Sequence, residues 1–278
     1  VLVFPELCLT GASCQDLFFQ DALRHAVRKC MKQIVDCSAE HPELTIVVGL
    51  PVRAGMRMFN CAAILKEGTI ANLAIKDSLT ADERRWFDPA REDEGHYISC
   101  QYFGVDDDYG LSMGGSLYKL GEGGVVGIAF GSDLYSPAGK ASGLALSGAE
   151  VIVHLTAEPE IVGSRVRREK LVREQSDVLN CVSVYCSAGM MESTQDGVYC
   201  GHSMIAENGA ILAENADFTD SGYMITMDCD LGKVRALRRR NAAFQSAAAD
   251  YAGIQPDAQW LDFADFRSDG TLYHLNKL

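Results

Sequence analysis

Apolar positions along this chain recur with two different periods, and the switches between them mark the elements. The chain opens on a short apolar run, Leu2-Val3-Phe4, which leaves through Pro5 to a single carboxylate, Glu6. Over residues 21–38, Ala22, Leu23, Ala26, Val27, Cys30, Met31, Ile34 and Val35 fall at helical spacing and predict an amphipathic helix. Residues 44–50 are continuously apolar and predict a buried strand. Residues 58–65 and 69–75 predict a hairpin over the Lys66-Glu67-Gly68 turn. A polar stretch, 77–94, predicts a loop, with strands expected near 97–103 and 124–130.

Strand and helix then alternate. Helices are predicted over 138–147 and 165–179, strands over 151–155 and 182–186, and a second hairpin pairs 203–206 with 211–214 across Glu207-Asn208-Gly209. Residues 223–228 are expected to close that sheet, and an Arg-rich helix to run from Leu231 to about Tyr251. There is no repeat, linker or low-complexity segment, so a single domain over 1–278 is the economical expectation. Alternation mixed with hairpins predicts an α/β fold of two sheets between helix layers.

Charge and cysteine content narrow the function classes. The net charge of -13 argues against nucleic acid, because phosphate binding depends on Lys and Arg. The basic clusters at 165–170 and 235–240 are expected to be helix faces, solvated or turned toward a subunit and paired with the excess acid. Ten cysteines carry no CxxC spacing and no His-rich partner motif, which speaks against a metal site. With no signal peptide and no apolar run of membrane length, the expectation is a reducing cytoplasm, no disulfides and no membrane partner.

Glu6, at the end of an apolar run, is a candidate general base, since open α/β sheets place their chemistry at strand ends. Its flanks, Phe4-Pro5-Glu6-Leu7 and Leu9-Thr10-Gly11-Ala12-Ser13 running on to Asp16-Leu17-Phe18-Phe19-Gln20, resemble the base-bearing signature of the nitrilase (carbon-nitrogen hydrolase) superfamily. The likeness is greatest to the glutamine amidohydrolase domain of glutamine-dependent NAD synthetases. It extends over roughly residues 1–245, through Leu171-Val172-Arg173-Glu174-Gln175-Ser176, Glu192-Ser193-Thr194-Gln195-Asp196 and Gly201-His202-Ser203-Met204-Ile205-Ala206-Glu207-Asn208-Gly209. The resemblance implies a four-layer α-β-β-α sandwich, here without the family's first strand and helix and without the ATP-dependent synthetase domain. ATP and Mg would belong to that domain; no cofactor is expected in this one.

A cysteine amidase needs a thiol, a base for its proton, and a cation or amide donors for the oxyanion. The resemblance assigns the base to Glu6 and the cation to Lys76, at the end of the hairpin that contains Asn60-Cys61-Ala62-Ala63-Ile64-Leu65, and expects the two within a few ångströms beside the nucleophile position. A lone strand-end Lys is more often solvated; the matching hairpin reverses that. The nucleophile motif itself departs from the family. Gly127-Ile128-Ala129-Phe130-Gly131-Ser132-Asp133-Leu134-Tyr135 carries Gly131 where the cysteine belongs, with Ala129 and Ser132 in place of two acids. The loop after Lys76 is shorter than the family's, and Thr156-Ala157-Glu158-Pro159 replaces a serine-containing stretch, setting Glu158 and Glu160 at the expected pocket mouth.

Glu158 and Ser132 are therefore the candidate substrate-binding positions, for a small amide or carboxylate. Cys186, Cys200 and His202 are expected to be structural. First among the readings is a nitrilase-like protein inactive as a glutaminase and serving in binding or assembly, self-associating through the 165–179 helix face with Leu171, Val172 and Val178, and the 235–240 helix lying on a neighbour's acidic surface. Association with a NAD synthetase domain belongs to the same reading. The alternatives are an active carbon-nitrogen hydrolase, supplying ammonia for NAD biosynthesis or using another thiol or a Glu6-directed water on a changed substrate, and a structural subunit without a ligand site.

Overall fold

A computed structural model describes residues 1–90, 96–105, 109–114, 117–120, 124–219, 222–254 and 260–262. The last part of the expected 77–94 loop lies outside the described residues. The chain divides into two compact units, Val1–Gly115 and Ser116–Leu278.

The first unit is a six-stranded sheet in the order β1-β2-β3-β4-β6-β5 with one long helix. β1 (Leu2–Val3) pairs in parallel with β2 (Thr45–Ala54), which forms antiparallel ladders through β3 (Arg57–Lys66) to β4 (Thr69–Ile75). The β3–β4 turn places Glu67 and Gly68 at positive φ, the conformation a tight hairpin needs. α1 (Asp21–Glu40) buries Val27, Met31, Val35 and Ser38, one stripe at i, i+4, into the core with Leu50, Phe59, Leu65 and Leu73. Its Ala22 and Ala26 face solvent.

The expected strand at 97–103 is shorter than its apolar pattern. β5 (His96–Ser99) stops where the Ser99 hydroxyl accepts from Gln101 N, and a 3-10 turn, Cys100–Phe103, ends at left-handed Gly104. β5 pairs with β6 (Gly110–Met113), four residues too few to show a period in the sequence.

The second unit has a seven-stranded sheet, β12-β11-β10-β9-β8-β7-β13. At its centre β8 (Val125–Phe130), α2 (Lys140–Leu146), β9 (Val151–Thr156), α3 (Ser164–Val178) and β10 (Val182–Ser187) run as two strand-helix-strand crossovers with parallel pairing. β11 (Met204–Glu207) and β12 (Ala210–Glu214) add the antiparallel hairpin, with Asn208 and Gly209 at positive φ. β7 (Leu117–Lys119) and β13 (Trp260–Asp262) complete the other side.

Three expectations are corrected here. Residues 223–228 form no strand: Phe218 N donates to the Cys200 carbonyl and the Tyr223 hydroxyl to that of Gly201, which ties the segment to residues 200–201 rather than to β12. The Arg-rich helix is two, α4 (Leu231–Arg240) and α5 (Ala242–Ile254), broken at Asn241, whose side-chain oxygen accepts from Phe244 N at 3.0 Å and starts the second helix. Two of its arginines are engaged within the chain. Arg235 pairs with Glu150, and Arg238 donates to the carbonyls of Asn180 (2.9 Å), Ala149 (2.6 Å) and Leu179 (3.2 Å). On α3, Val172 is buried and Leu171 half-buried against Leu134, Tyr185 and Met204, so those two face their own sheet; Val178 is exposed.

α3 is also fastened by a buried polar network. Arg168 reaches Glu160 at 2.9 Å and His202 Nδ1 at 3.0 Å, while the Cys200 thiol donates to Glu160 at 2.9 Å. Arginine only donates, so Nδ1 accepts and the His202 proton sits on Nε2, 3.1 Å from Glu214. Burial, together with Arg168, holds the His202 pKa below its usual value, against the pull of Glu214 and Asp217, which in turn pair with Arg165. Cys200 is lifted by burial and by Glu160 to about 11, so it is an inert thiol, as expected. Because the unfolded state binds this His202 proton more readily, the stability contributed by neutral His202 is full above the unfolded value of about 6.5 and declines below it. Urea melts from pH 7.5 to 5.5 should therefore show wild type losing stability relative to His202→Gln; parallel pH curves would contradict this role.

Candidate active site

Glu6 sits in the turn that follows β1, and the approach of that turn to the sheet depends on Gly49. A Cβ at Gly49 would lie closer than 3.0 Å to Leu7 N, Pro5 O and Glu6 C, so β2 offers a bare backbone where the Glu6 turn crosses it. The turn is pinned by Leu9 N donating to the Gly49 carbonyl, and Leu7 is held at φ 52, a strained value for a leucine. Glu6 ends up buried beside two neighbouring strands. Asn60 of β3 donates its amide to Glu6 Oε1 at 2.6 Å, and Lys76, one residue past β4, donates to the same oxygen at 2.7 Å.

Lys76 has a second carboxylate. Glu83 Oε1 lies 2.5 Å from its ammonium, while Glu83 Oε2 accepts from Thr80 N at 2.8 Å and Thr80 Oγ1 from Glu83 N at 3.3 Å. That reciprocal pair closes the turn that leads into the 3-10 turn Glu83–Arg85. The Thr80-Ala81-Asp82-Glu83 spacing is visible in the sequence, although nothing in it says that the spare oxygen of Glu83 reaches Lys76.

These contacts divide the protons. Burial raises the Glu6 carboxyl from 4.5 to about 7, against the pull of Lys76. Burial acts the same way on Glu83, but Lys76 and Thr80 outweigh it and hold this carboxyl low. Burial would lower Lys76, yet the two carboxylates keep it above its ordinary range, so it is an ammonium at any neutral pH. Glu83 is thus the standing counter-ion, and Glu6 is the group that exchanges a proton near neutrality, the value that suits a general base. Its free oxygen is placed for this: Glu6 Oε2 is buried and has no hydrogen-bond partner among the described residues.

The remaining expected site residues lie in the second unit. Gly131 and Ser132 begin a 3-10 turn, Gly131–Tyr135, directly after β8, held by Asp133 accepting from Phe130 N at 3.1 Å. A Cβ at Gly131 would overlap the side chain of Thr156, the last residue of β9, lying 2.5 Å from its Cβ and closer still to its hydroxyl oxygen. Thr156 is fully buried, and the Tyr185 hydroxyl reaches both Thr156 Oγ1 at 3.3 Å and Glu158 Oε2 at 3.4 Å. The volume beside Gly131 is thereby filled by Thr156; the sequence gives no sign of it, because residues 131 and 156 meet only through space. Glu158 is half-buried beside Tyr185 and Tyr135, whereas Glu160, expected beside it, is committed to Arg168, Ser164 and Cys200.

The profile of the Carbon-nitrogen hydrolase family matches residues 1–239. The chain belongs to that family. This carbon-nitrogen hydrolase domain is 30% identical over 268 residues to the glutamine-dependent NAD(+) synthetase of Mycobacterium tuberculosis, covering 94% of the chain and 38% of the synthetase. It spans little more than a third of the length of the curated relatives it matches. A crystal structure of the glutamine-dependent NAD(+) synthetase from Cytophaga hutchinsonii superposes with a TM-score of 0.65 at 24% identity, over 78% of this chain and 34% of that one. A mutant of the amidase from Nesterenkonia sp. AN1 superposes with a TM-score of 0.59 at 17% identity, over 87% and 82%; in it the acetamide moiety of fluoroacetamide is added covalently at the active site cysteine. These likenesses give the carbon-nitrogen hydrolase domain its nitrilase-like α/β fold. Among its described residues no helix is long and apolar enough to cross a membrane, and no three His, Cys, Asp or Glu side chains are grouped to hold a metal.

Replacing Lys76 by Met would leave Glu6 and Glu83 buried with no cation, which costs about 3–5 kcal/mol for a broken buried pair. The loss in urea melts should be greatest above pH 7 and shrink toward pH 5.5, because without the ammonium Glu6 binds its proton even more readily in the folded state than its value of about 7 already implies. A loss that does not change with pH would mean that Glu6 is not the group that takes the proton.

Proposed function

We propose that this chain is a nitrilase-like glutaminase domain of the NAD synthetase type that no longer hydrolyses glutamine and serves in binding or assembly. The observation that carries the reading is the crowding at Gly131. By resemblance this is the nucleophile position, and in the Nesterenkonia amidase mutant the acetamide moiety of fluoroacetamide is added covalently at the active site cysteine. Here a glycine stands there, with Thr156 in the volume of a side chain. Without a nucleophile the acyl-enzyme route is closed, whatever the state of the base.

Further parts of the proposal follow from the family relation and the surface. The ligand would be a small amide or carboxylate, with Ser132 and Glu158 as the candidate contacts. ATP and Mg would act on a separate synthetase domain. Ile161, Val162 and Val166, exposed at the start of α3, together with Val178, support self-association, and the chain's working place would be the cytoplasm.

A second reading is favoured by one specific observation, the intact Glu6–Lys76–Glu83 group with Glu6 poised near pH 7. In it, Glu6 directs a water at a changed carbon-nitrogen substrate.

Ammonia release from glutamine and from a panel of other small amides decides between the two. Loss of a nucleophile elsewhere lowers turnover about a millionfold, so the purified chain should show no release above background. Steady release at an ordinary enzyme rate, abolished by Glu6→Gln, would establish the second reading instead.

A further inference from the structure

We propose that the first unit carries a binding site for a small planar anion, an aromatic ring bearing a carboxylate or a phosphate, in a pocket of about 330 Å³ formed where the β2–β3 turn meets residues 84–88. The site does not depend on what stands at Gly131, because every residue that lines it comes from the first unit.

Charge is the first observation. Four guanidiniums, Arg53, Arg57, Arg84 and Arg85, line this pocket in a chain whose net charge is -13. Gathering like charges is unfavourable unless an anion joins them. The carboxylate in the lining, Asp88, is already engaged, accepting from Met58 N at 3.3 Å and lying 3.7 Å from Arg57. Arg53 has Asp21 at 4.0 Å and Arg85 has Asp16 at 3.6 Å, but both of these pairs are solvent-exposed, and such pairs contribute little. Arg84 is exposed and makes no ion pair with a described residue. A guanidinium fork matches a carboxylate or phosphate in two parallel hydrogen bonds, so this is the class of group the surplus charge selects.

The second observation is the apolar wall. Trp86 is half-buried and held in place, its Nε1 donating to Asp16 at 3.0 Å and its ring set edge-on to Phe18 at 6.3 Å. Phe19 and Met56, also in the lining, are exposed. A fixed indole, a phenyl ring and a thioether offer a flat ligand stacking and sulfur contacts with little ordering cost. The volume lies near the lower limit of small-molecule sites, enough for one ring and one acidic group.

Titration calorimetry at low ionic strength tests this, with benzoate and phenyl phosphate as probes and benzyl alcohol and inorganic phosphate as controls. At least one aromatic anion should bind, and its affinity relative to the other tells a carboxylate site from a phosphate site. Benzyl alcohol should bind at least about tenfold more weakly. Arg53→Gln/Arg84→Gln, two exposed positions whose exchange leaves the fold intact in a thermal melt, should weaken the anion about tenfold or more. Trp86→Leu should weaken the aromatic anions while leaving inorganic phosphate unchanged. No binding of either aromatic anion at about 10 mM, equal binding of benzyl alcohol, or full affinity in the double variant would overturn the proposal.

Discussion

One ammonium buried between two carboxylates organises the chemistry of the first unit. Lys76 is 3% exposed and can remain charged there only because Glu6 and Glu83 both touch it. The two acids come from opposite sides of the sequence, one after β1 and one from the turn after β4, so the ion group fastens the chain's beginning to the hairpin and to the 3-10 turn. Desolvation then separates the two carboxylates in function. Glu83 accepts from Thr80 N and stays ionised; Glu6, with one oxygen shared between Asn60 and Lys76 and the other without a partner among the described residues, is pushed to about 7. A carboxyl that exchanges its proton near neutrality and a lasting cation thus follow from burial and hydrogen bonding, without any special chemistry.

A missing side chain works in opposite directions at two glycines. At Gly49 the missing side chain lets the Glu6 turn cross β2 and so brings Glu6 to its buried place. At Gly131 the missing side chain lets Thr156 fill the space in which a residue of any other type would project. Gly131 adopts no positive φ, so the constraint there is steric and comes from the next strand of the sheet.

What could be read from the sequence tracks the range of the interaction involved. Both hairpin turns, Glu67-Gly68 and Asn208-Gly209, declare themselves because positive φ selects the residue type locally. The α1 stripe is equally legible, since Val27, Met31 and Val35 repeat at helical spacing. Glu6 and Lys76 were found through motif resemblance, and the structure places them 2.7 Å apart. Glu83 was missed because its second contact spans a turn. Thr156 was missed because it meets Gly131 across a sheet. The break at Asn241 lies in a run of good helix formers, where the decisive partner, Asn180, is 2.9 Å away in space and 61 residues away in the chain.

The central claim, that Thr156 occupies the volume into which a side chain at Gly131 would project, is tested most directly by a double-mutant cycle in urea. Gly131→Cys alone should destabilise by about 1–3 kcal/mol, the range for overpacking a filled site. In a Thr156→Gly background, where the side chain has been moved from one strand end to the other, that penalty should fall by about 1 kcal/mol or more, a coupling well above the error of additivity. Equal penalties in both backgrounds would show that the two positions do not compete for one space and would contradict the account.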